Sequence, residues 1–288
     1  MKPAVCSWSL QPASPAELAS RVKACGLSRV QLALGPLCEA SPGLWAVDEV
    51  RRVFAAEGIE IVSGMLAAIG EDYTSLETIK NTGGFLPDQH WTSNKQLAIS
   101  HAAVAAQLGL KLVTTHVGFL PHDVSLPADR ALRERMIDRI SQVATIFASQ
   151  GIDLALETGQ EAAPTLVEIL KELDQRHASS TLGVKVGVNF DPANMILYGM
   201  GEPVASLLAL VPWVRQIHIK DATPNSNSAI NGGWGTEVPT GTGAVDWPRF
   251  FRVVKEKLTH VNLVIEREAG DNRVADVQTA ARLIARMM

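Results

Sequence analysis

Four runs in the second half of the chain decide its reading: IDLALE (152–157), VGVNFD (186–191), RQIHIKD (215–221) and LVIE (263–266). Each is short, mostly apolar and rich in β-branched residues, as expected of strands in a parallel sheet covered on both faces. Each also closes on, or carries near its end, a side chain that binds divalent metals: Glu157, Asp191, His218 and Glu266. A parallel α/β barrel gathers the C-terminal ends of its strands at one face. Three carboxylates and an imidazole collected there suit one divalent ion, Mn²⁺, Mg²⁺, Co²⁺ or Zn²⁺. Taken singly, an acid at a strand end equally well caps the next helix or pairs with an arginine. Four on successive strands form the pattern that carries weight, provided that all four side chains point into the mouth.

Working outward, the same strand pattern recurs at Ala4–Trp8, Arg29–Leu34, Ile59–Leu66 and Lys111–His116, and it sets Ile152–Glu157, Val186–Phe190, Val214–Ile219 and Asn262–Glu266 as the remaining strands. Longer segments of helical period separate them. Leu132, Met136, Ile137, Ile140, Val143, Ala144 and Phe147 fall on one helical face, and Gly151 supplies the stop. Pro164, Pro203 and Pro248 sit near three further helix starts. Eight strands alternating with helices predict a closed (β/α)8 TIM barrel, a single domain over residues 1–288. An open doubly wound sheet is the alternative, but no GxGxxG follows the first strand. Two long connections, Ala67–Trp91 and Ala222–Asp246, are expected as loops on the C-terminal face.

With 288 residues, 47% hydrophobic and 19% charged, the chain has the composition of a globular protein with a full core. A net charge of −4 without a local Lys/Arg cluster argues against nucleic acid as partner. No apolar run is long enough for a membrane span. The start, MKPAVCSWSLQP, lacks the apolar run of a secretory signal. Cys6, Cys25 and Cys38, an odd and sparse set, suit buried thiols in a reducing compartment. The expected location is cytoplasmic.

Around the mouth, His116 ends the fourth strand and is a candidate for substrate binding, for a second metal or for a structural hydrogen bond. Lys220 offers a positive charge to a substrate oxygen, or a partner to a carboxylate. Trp8 offers an apolar wall for carbohydrate C–H faces, or barrel filling. Met65 and the Glu71–Tyr73 segment are further candidates for substrate contact. His90, His101, His122, His177 and His260, in loops or on helices, are expected to be solvated.

THVG (115–118), ALETG (155–159), NFDPANMILYG (189–199), QIHIKDA (216–222) and GTGAVDW (241–247) together resemble the xylose isomerase-like barrel superfamily of sugar isomerases and epimerases, which also includes endonuclease IV. The resemblance spans essentially the whole chain. It implies a single metal held by Glu157, Asp191, His218 and Glu266, with Glu157 and Glu266 also acting as the acid–base pair beside a metal-stabilised enediolate. Three departures stand out. Asn194 occupies a position where both the three-zinc nucleases and the ketose 3-epimerases have histidine. WGTEVPTG (234–241) lacks the nucleases' Asp-x-His pair, and Lys220–Asp221 stand where the 3-epimerases have an arginine soon after the ligand. The implied function is isomerisation or epimerisation of a small sugar or keto-polyol, with Asn194, His116, Lys220 and Trp8 as candidate substrate contacts. A dehydratase on the same scaffold, acting on an inosose or 3-dehydroshikimate, is the alternative; an abasic-site endonuclease and a non-catalytic binding protein follow behind. Expected partners are a small sugar or polyol, with a homo-oligomer allowed and neither nucleic acid nor membrane involved.

Overall fold

In the computed structural model, which describes residues 2–39, 43–225 and 234–288, the predicted strands close on themselves. They are β1 (Ala4–Cys6), β2 (Arg29–Ala33), β3 (Glu60–Leu66), β4 (Leu112–Thr115), β5 (Asp153–Glu157), β6 (Val186–Phe190), β7 (Val214–Ile219) and, after a two-stranded ribbon of β8 (Asp221–Thr223) and β9 (Thr236–Val238), β10 (Asn262–Ile265). The barrel order is β1-β10-β7-β6-β5-β4-β3-β2, and the pairings within it are all parallel. The fold is a single-domain TIM barrel with a ring of helices.

The strands β4 and β6 are buried along their whole length, as expected of parallel strands covered on both faces. The helix Pro127–Ala148 turns Met136, Ile137, Ile140, Val143, Ala144 and Phe147 inward, the face that the periodicity marked. Register gives the strand ends a common facing: Glu157 lies opposite Asn189, two residues before Asp191, and His218 opposite Val264, two residues before Glu266, and steps of two keep side chains on one side of the sheet.

Four expectations are corrected. The first strand ends at Cys6, and Trp8 lies in a 3-10 turn, Ser7–Leu10, beyond it. The connection Ala67–Trp91 is not a bare loop, since it contains the helix Leu76–Thr82 and the start of the helix Asp88–Gln107. The connection Ala222–Asp246 forms the β8–β9 ribbon, with residues 226–233 lying outside the described residues. His101 is buried, not solvated, with Nδ1 against the Leu97 carbonyl at 2.9 Å.

One close approach ties the β3 connection to the end of β4. A Cβ on Gly84 would lie 2.1 Å from the Val117 carbonyl carbon, and one on Gly118 would lie 2.1 Å from the Gly83 oxygen. Both residues have positive φ, so glycine is required on each side of the crossing. His116 is thereby held against the Glu71–Tyr73 segment. No helix among the described residues is long and apolar enough to cross a membrane.

Candidate functional site

Closure brings Glu157, Asp191, His218 and Glu266 together at the C-terminal mouth, each nine-tenths or more buried. One potential ligand atom from each lies within 4.8 Å of all the others. His218 Nδ1 is 3.3 Å from Glu157 Oε1, 3.3 Å from Glu266 Oε2 and 3.8 Å from Asp191 Oδ2. Ligands facing each other across an ion at about 2.1 Å would sit about 4.2 Å apart, so the spacing fits one divalent cation.

The hydrogen bonding points the same way. His218 Nδ1 and Asp191 Oδ2 are buried polar atoms with no hydrogen-bond partner. Leaving such atoms unsatisfied costs about 1–3 kcal/mol each, so the pair calls for an occupant. The rest of each ligand is fully engaged. Asp191 begins the helix Pro192–Leu197, and its Oδ1 accepts from Ala193 N at 2.7 Å and Asn194 N at 3.1 Å. It is a helix cap with one oxygen and a free acceptor with the other. His218 Nε2 lies 2.8 Å from Gln31 Oε1, which can only accept, so a proton sits there and Nδ1 faces the cluster. Burial opposes a charge on the ring, but Glu266 and Glu157 lift its pKa well above the ordinary value, so without an ion Nδ1 also holds a proton, which a bound cation would displace. The donor set and its orphaned atoms therefore fit a divalent metal ion.

Gln31 belongs to a polar layer inside the barrel. Its Oε1 also accepts from Gln216 Nε2 at 2.9 Å, while its Nε2 donates to Thr114 Oγ1 at 2.7 Å. Ser63 Oγ donates to Gln216 Oε1 at 2.7 Å. Cys6 packs here too, its Sγ 3.7 Å from His218 Nε2, and burial pushes the thiol pKa up so that it stays protonated.

Glu157 is gripped from several sides. Asn189 Nδ2 donates to its Oε2 at 3.2 Å, Asn194 Nδ2 donates to its Oε1 at 3.3 Å, and His116 Nε2 lies 3.3 Å from Oε2. Asn194 also donates to the Thr158 carbonyl at 3.0 Å. This asparagine orients Glu157 while lining the cavity. His116 in turn meets the Tyr73 hydroxyl through Nδ1 at 3.2 Å. On the opposite side, Glu266 Oε1 accepts from Trp8 Nε1 at 2.8 Å and Oε2 from Lys220 Nζ at 2.9 Å. Lys220 donates a second bond to Glu268, at 2.6 Å. Asp221, next in sequence, turns away from the mouth; its carboxylate accepts from Gly241 N, Gly243 N, Val245 N and Trp247 Nε1 and holds the GTGAVDW loop.

Charge is unevenly shared. Burial raises the pKa of Glu157, but His116 and His218 outweigh it and hold the carboxyl well below its ordinary range. Glu266 is likewise opposed by burial yet brought down to about 2 by Lys220 and His218. Asp191 goes up to about 6 because burial exceeds the help from Lys220. Burial pushes His116 down, and Glu157 more than reverses it, lifting it to about 10. A further buried acid, Glu161, is raised to about 8 by burial in the loop after β5.

Above the cluster opens a cavity of about 660 Å³. Trp8, Met65, Glu71, Tyr73, His116, Asn194 and Lys220, all singled out in the sequence, line it. Sequence reasoning missed Gln31, Asn189, Tyr198, Trp234 and Glu268. For Gln31 and Asn189 a signal existed, an amide in the middle of an otherwise apolar strand. For Tyr198, Trp234 and Glu268 no spacing marks the role.

A family model described as xylose isomerase-like TIM barrel matches residues 19–287. No curated protein matches the chain. Among solved structures, a xylose isomerase domain protein from Planctomyces limnophilus is 25% identical, with a TM-score of 0.82 over 100% of this chain and 95% of that one. The probable 3-DHS dehydratase AsbF of Bacillus anthracis, involved in petrobactin synthesis, is 17% identical, with a TM-score of 0.73 over 99% of each chain. A xylose isomerase-like TIM barrel protein from Mycobacterium smegmatis, solved in complex with magnesium, is 18% identical, with a TM-score of 0.70 over 99% of this chain and 97% of that one. At such identities the last two bear on the fold alone.

Proposed function

The chain belongs to the xylose isomerase-like TIM barrel family, and from that premise we propose that it is a divalent-metal-dependent isomerase or epimerase of a small sugar or keto-polyol, working by proton transfer next to a carbonyl. The observation that carries this reading is the pair of buried, partnerless atoms, His218 Nδ1 and Asp191 Oδ2, facing Glu157 and Glu266.

Glu157, Asp191, His218 and Glu266 would hold the ion. A bound divalent cation supplies Lewis acidity, which lets carboxylates of low basicity remove a proton from carbon. Glu157 and Glu266 approach His218 Nδ1 at the same 3.3 Å, and donors hold them at opposite walls, with His116 and Asn194 on one and Trp8 and Lys220 on the other. One glutamate takes a proton from the substrate carbon and the other returns one, in the manner of a general acid–base pair. His116, between Glu157 Oε2 and the Tyr73 hydroxyl, carries a proton between the carboxylate and the cavity. Lys220 keeps Glu266 ionised and bridges it to Glu268 across the rim of the cavity.

Dehydration on the same scaffold begins with the same abstraction and then expels water. The three-zinc nuclease arrangement lacks support: among the described residues the two candidate ligand groups share His218 and Glu266, and Asn194 donates to Glu157.

The test is proton NMR in heavy water on metal-saturated protein with ketoses, inososes and hydroxypyruvate. Deuterium entering recovered substrate or its isomer is the expected result; loss of water assigns the dehydratase. Glu157→Gln and Glu266→Gln, fully metallated, should each lose at least about a hundredfold in exchange. Parent-rate exchange in either variant would make that glutamate a ligand only.

A further inference from the structure

The charges around the cavity restrict what can enter it. Glu71, Glu237, Glu266 and Glu268 all line it, and Lys220 is its only lysine among the described residues, with no arginine beside it. The ammonium is already spent, 2.9 Å from Glu266 and 2.6 Å from Glu268. Arg267, adjacent to Glu266 and Glu268 in sequence, is committed to Glu237 and Asp276, at 2.8 Å each. Residues 226–233 read SNSAINGG in sequence and hold no cation. His116, the other cationic side chain on the wall, is taken up by Glu157 and the Tyr73 hydroxyl. Even with a divalent ion, the carboxylates Glu71, Glu157, Asp191, Glu237, Glu266 and Glu268 exceed the summed charge of that ion, His116, Lys220 and Arg267. A phosphate or carboxylate on the substrate would find like charges and no unused donor cation, an arrangement that rejects ligands.

Size and wall chemistry add a second restriction. At about 30 Å³ per water in the liquid, a 660 Å³ cavity holds roughly twenty waters, about twice the heavy atoms of a hexose. The aromatic walls fall into two groups. Trp8 stands over the carboxylate cluster, its ring 6.3 Å from that of His218. Tyr73, Tyr198 and Trp234 form a second surface, with Tyr198 and Trp234 edge to face at 4.9 Å and Tyr73 and Trp234 at 6.4 Å, joined to the cluster where the Tyr73 hydroxyl meets His116. One sugar ring fills the first place and leaves the second free. Flat apolar platforms of this kind take sugar faces or aryl rings.

We infer that the substrate is an uncharged keto-sugar carrying a second ring, glycosyl or aryl, with the reacting ring beside Trp8 and the second ring against Tyr73, Tyr198 and Trp234. This rests on the proton-transfer reading of the same site and narrows it to neutral glycosides.

Binding is measured on the magnesium-saturated protein by intrinsic tryptophan fluorescence with calorimetric confirmation. The probes are phenyl β-D-glucoside, phenyl β-D-glucuronide, which differs by one carboxylate, and methyl β-D-glucoside, which lacks the second ring. The phenyl glucoside is expected to bind at least about tenfold tighter than each of the other two. Glu268→Gln, which removes one charge and one partner of Lys220, should narrow the glucoside-to-glucuronide ratio at least about threefold. A glucuronide bound as tightly as the glucoside, a methyl glucoside bound as tightly as the phenyl, an unchanged ratio in Glu268→Gln, or no binding of the phenyl glucoside at millimolar concentration overturns the proposal. The two readings fail separately. Selective binding without deuterium exchange into any keto-sugar sinks the proton-transfer reading alone, whereas exchange into hydroxypyruvate with no preference for the phenyl glucoside sinks only this one.

Discussion

Asp191 shows how one side chain satisfies two readings of a strand-ending acid. Its Oδ1 caps a helix through Ala193 N and Asn194 N, while Oδ2 stays free in the cluster. The sequence could place such a residue but could not divide its oxygens. Gln31 is the converse: its role was legible only as an anomaly, an amide inside RVQLA. Because Gln31 Oε1 accepts from His218 Nε2, its removal frees the imidazole to change tautomer, and losing the hydrogen bond that orients a metal-binding histidine reduces metal affinity about 10–100-fold. Gln31→Leu should show that loss in a chelating-dye competition with its circular dichroism unchanged, whereas Gln31→Glu, which keeps an acceptor, should recover much of the affinity. Equal affinities in all three proteins would make Gln31 a packing residue. Glu161 carries a pH prediction. Its pKa in the folded chain is raised to about 8 by burial, above the ordinary carboxyl value, so the neutral form suits the fold and the ionised form does not. Its contribution is present at low pH and lost as pH rises through about 8. Glu161→Gln should therefore gain in melting temperature over the parent at pH 9 and little at pH 5; an equal gain at both would refute the assignment.

At the scale of elements, the motifs around β7 separate into chemistry and scaffold. In HIKD, His218 and Lys220 face the site, while Asp221 anchors the GTGAVDW loop through backbone N–H groups and the Trp247 indole. That division was invisible in the sequence, since a buried acid ending a ligand strand looks the same in either role. Gly243 follows from it: an added Cβ would lie 2.2 Å from Asp221 Oδ1 and 2.6 Å from the Ala222 oxygen. Gly243→Ala must push the carboxylate off its donors, at a cost on the order of 3 kcal/mol. We expect a melting point several degrees lower, with metal affinity largely kept in the folded fraction; parent-like stability would show that the loop yields freely. Strands were legible to within a residue or two because both-face burial writes nearly continuous apolar runs. The helix Leu76–Thr82 was not, being too short for a periodic stripe and opened by a capping box with Thr78 at N3 where Glu or Gln is the usual signal.

For the whole molecule, closure is the step that local pattern cannot show. Glu157 and Glu266 face each other only because β10 returns to pair with β1 and β7, and the layer of Gln31, Ser63, Thr114 and Gln216 is coherent only inside a closed barrel. The sequence indicated which end would carry the site; cavity size and the pairing of Lys220 emerge from the assembled mouth alone. Because the ligand shell draws on β5, β6, β7 and β10, a bound ion would cross-link much of the barrel. Binding to the folded chain alone stabilises by about 2.7 kcal/mol at a hundredfold excess over Kd, which for a chain of this size corresponds to roughly 5–10 °C. Adding Mn²⁺, Mg²⁺, Co²⁺ or Zn²⁺ to chelator-treated protein should raise the melting temperature by that order for at least one ion, and renewed chelation should reverse it. The rise should vanish in the double variant Glu157→Gln/Glu266→Gln. An undiminished rise in that variant would place the ion elsewhere, and no rise with any of the four metals would remove the metal from the proposed reaction.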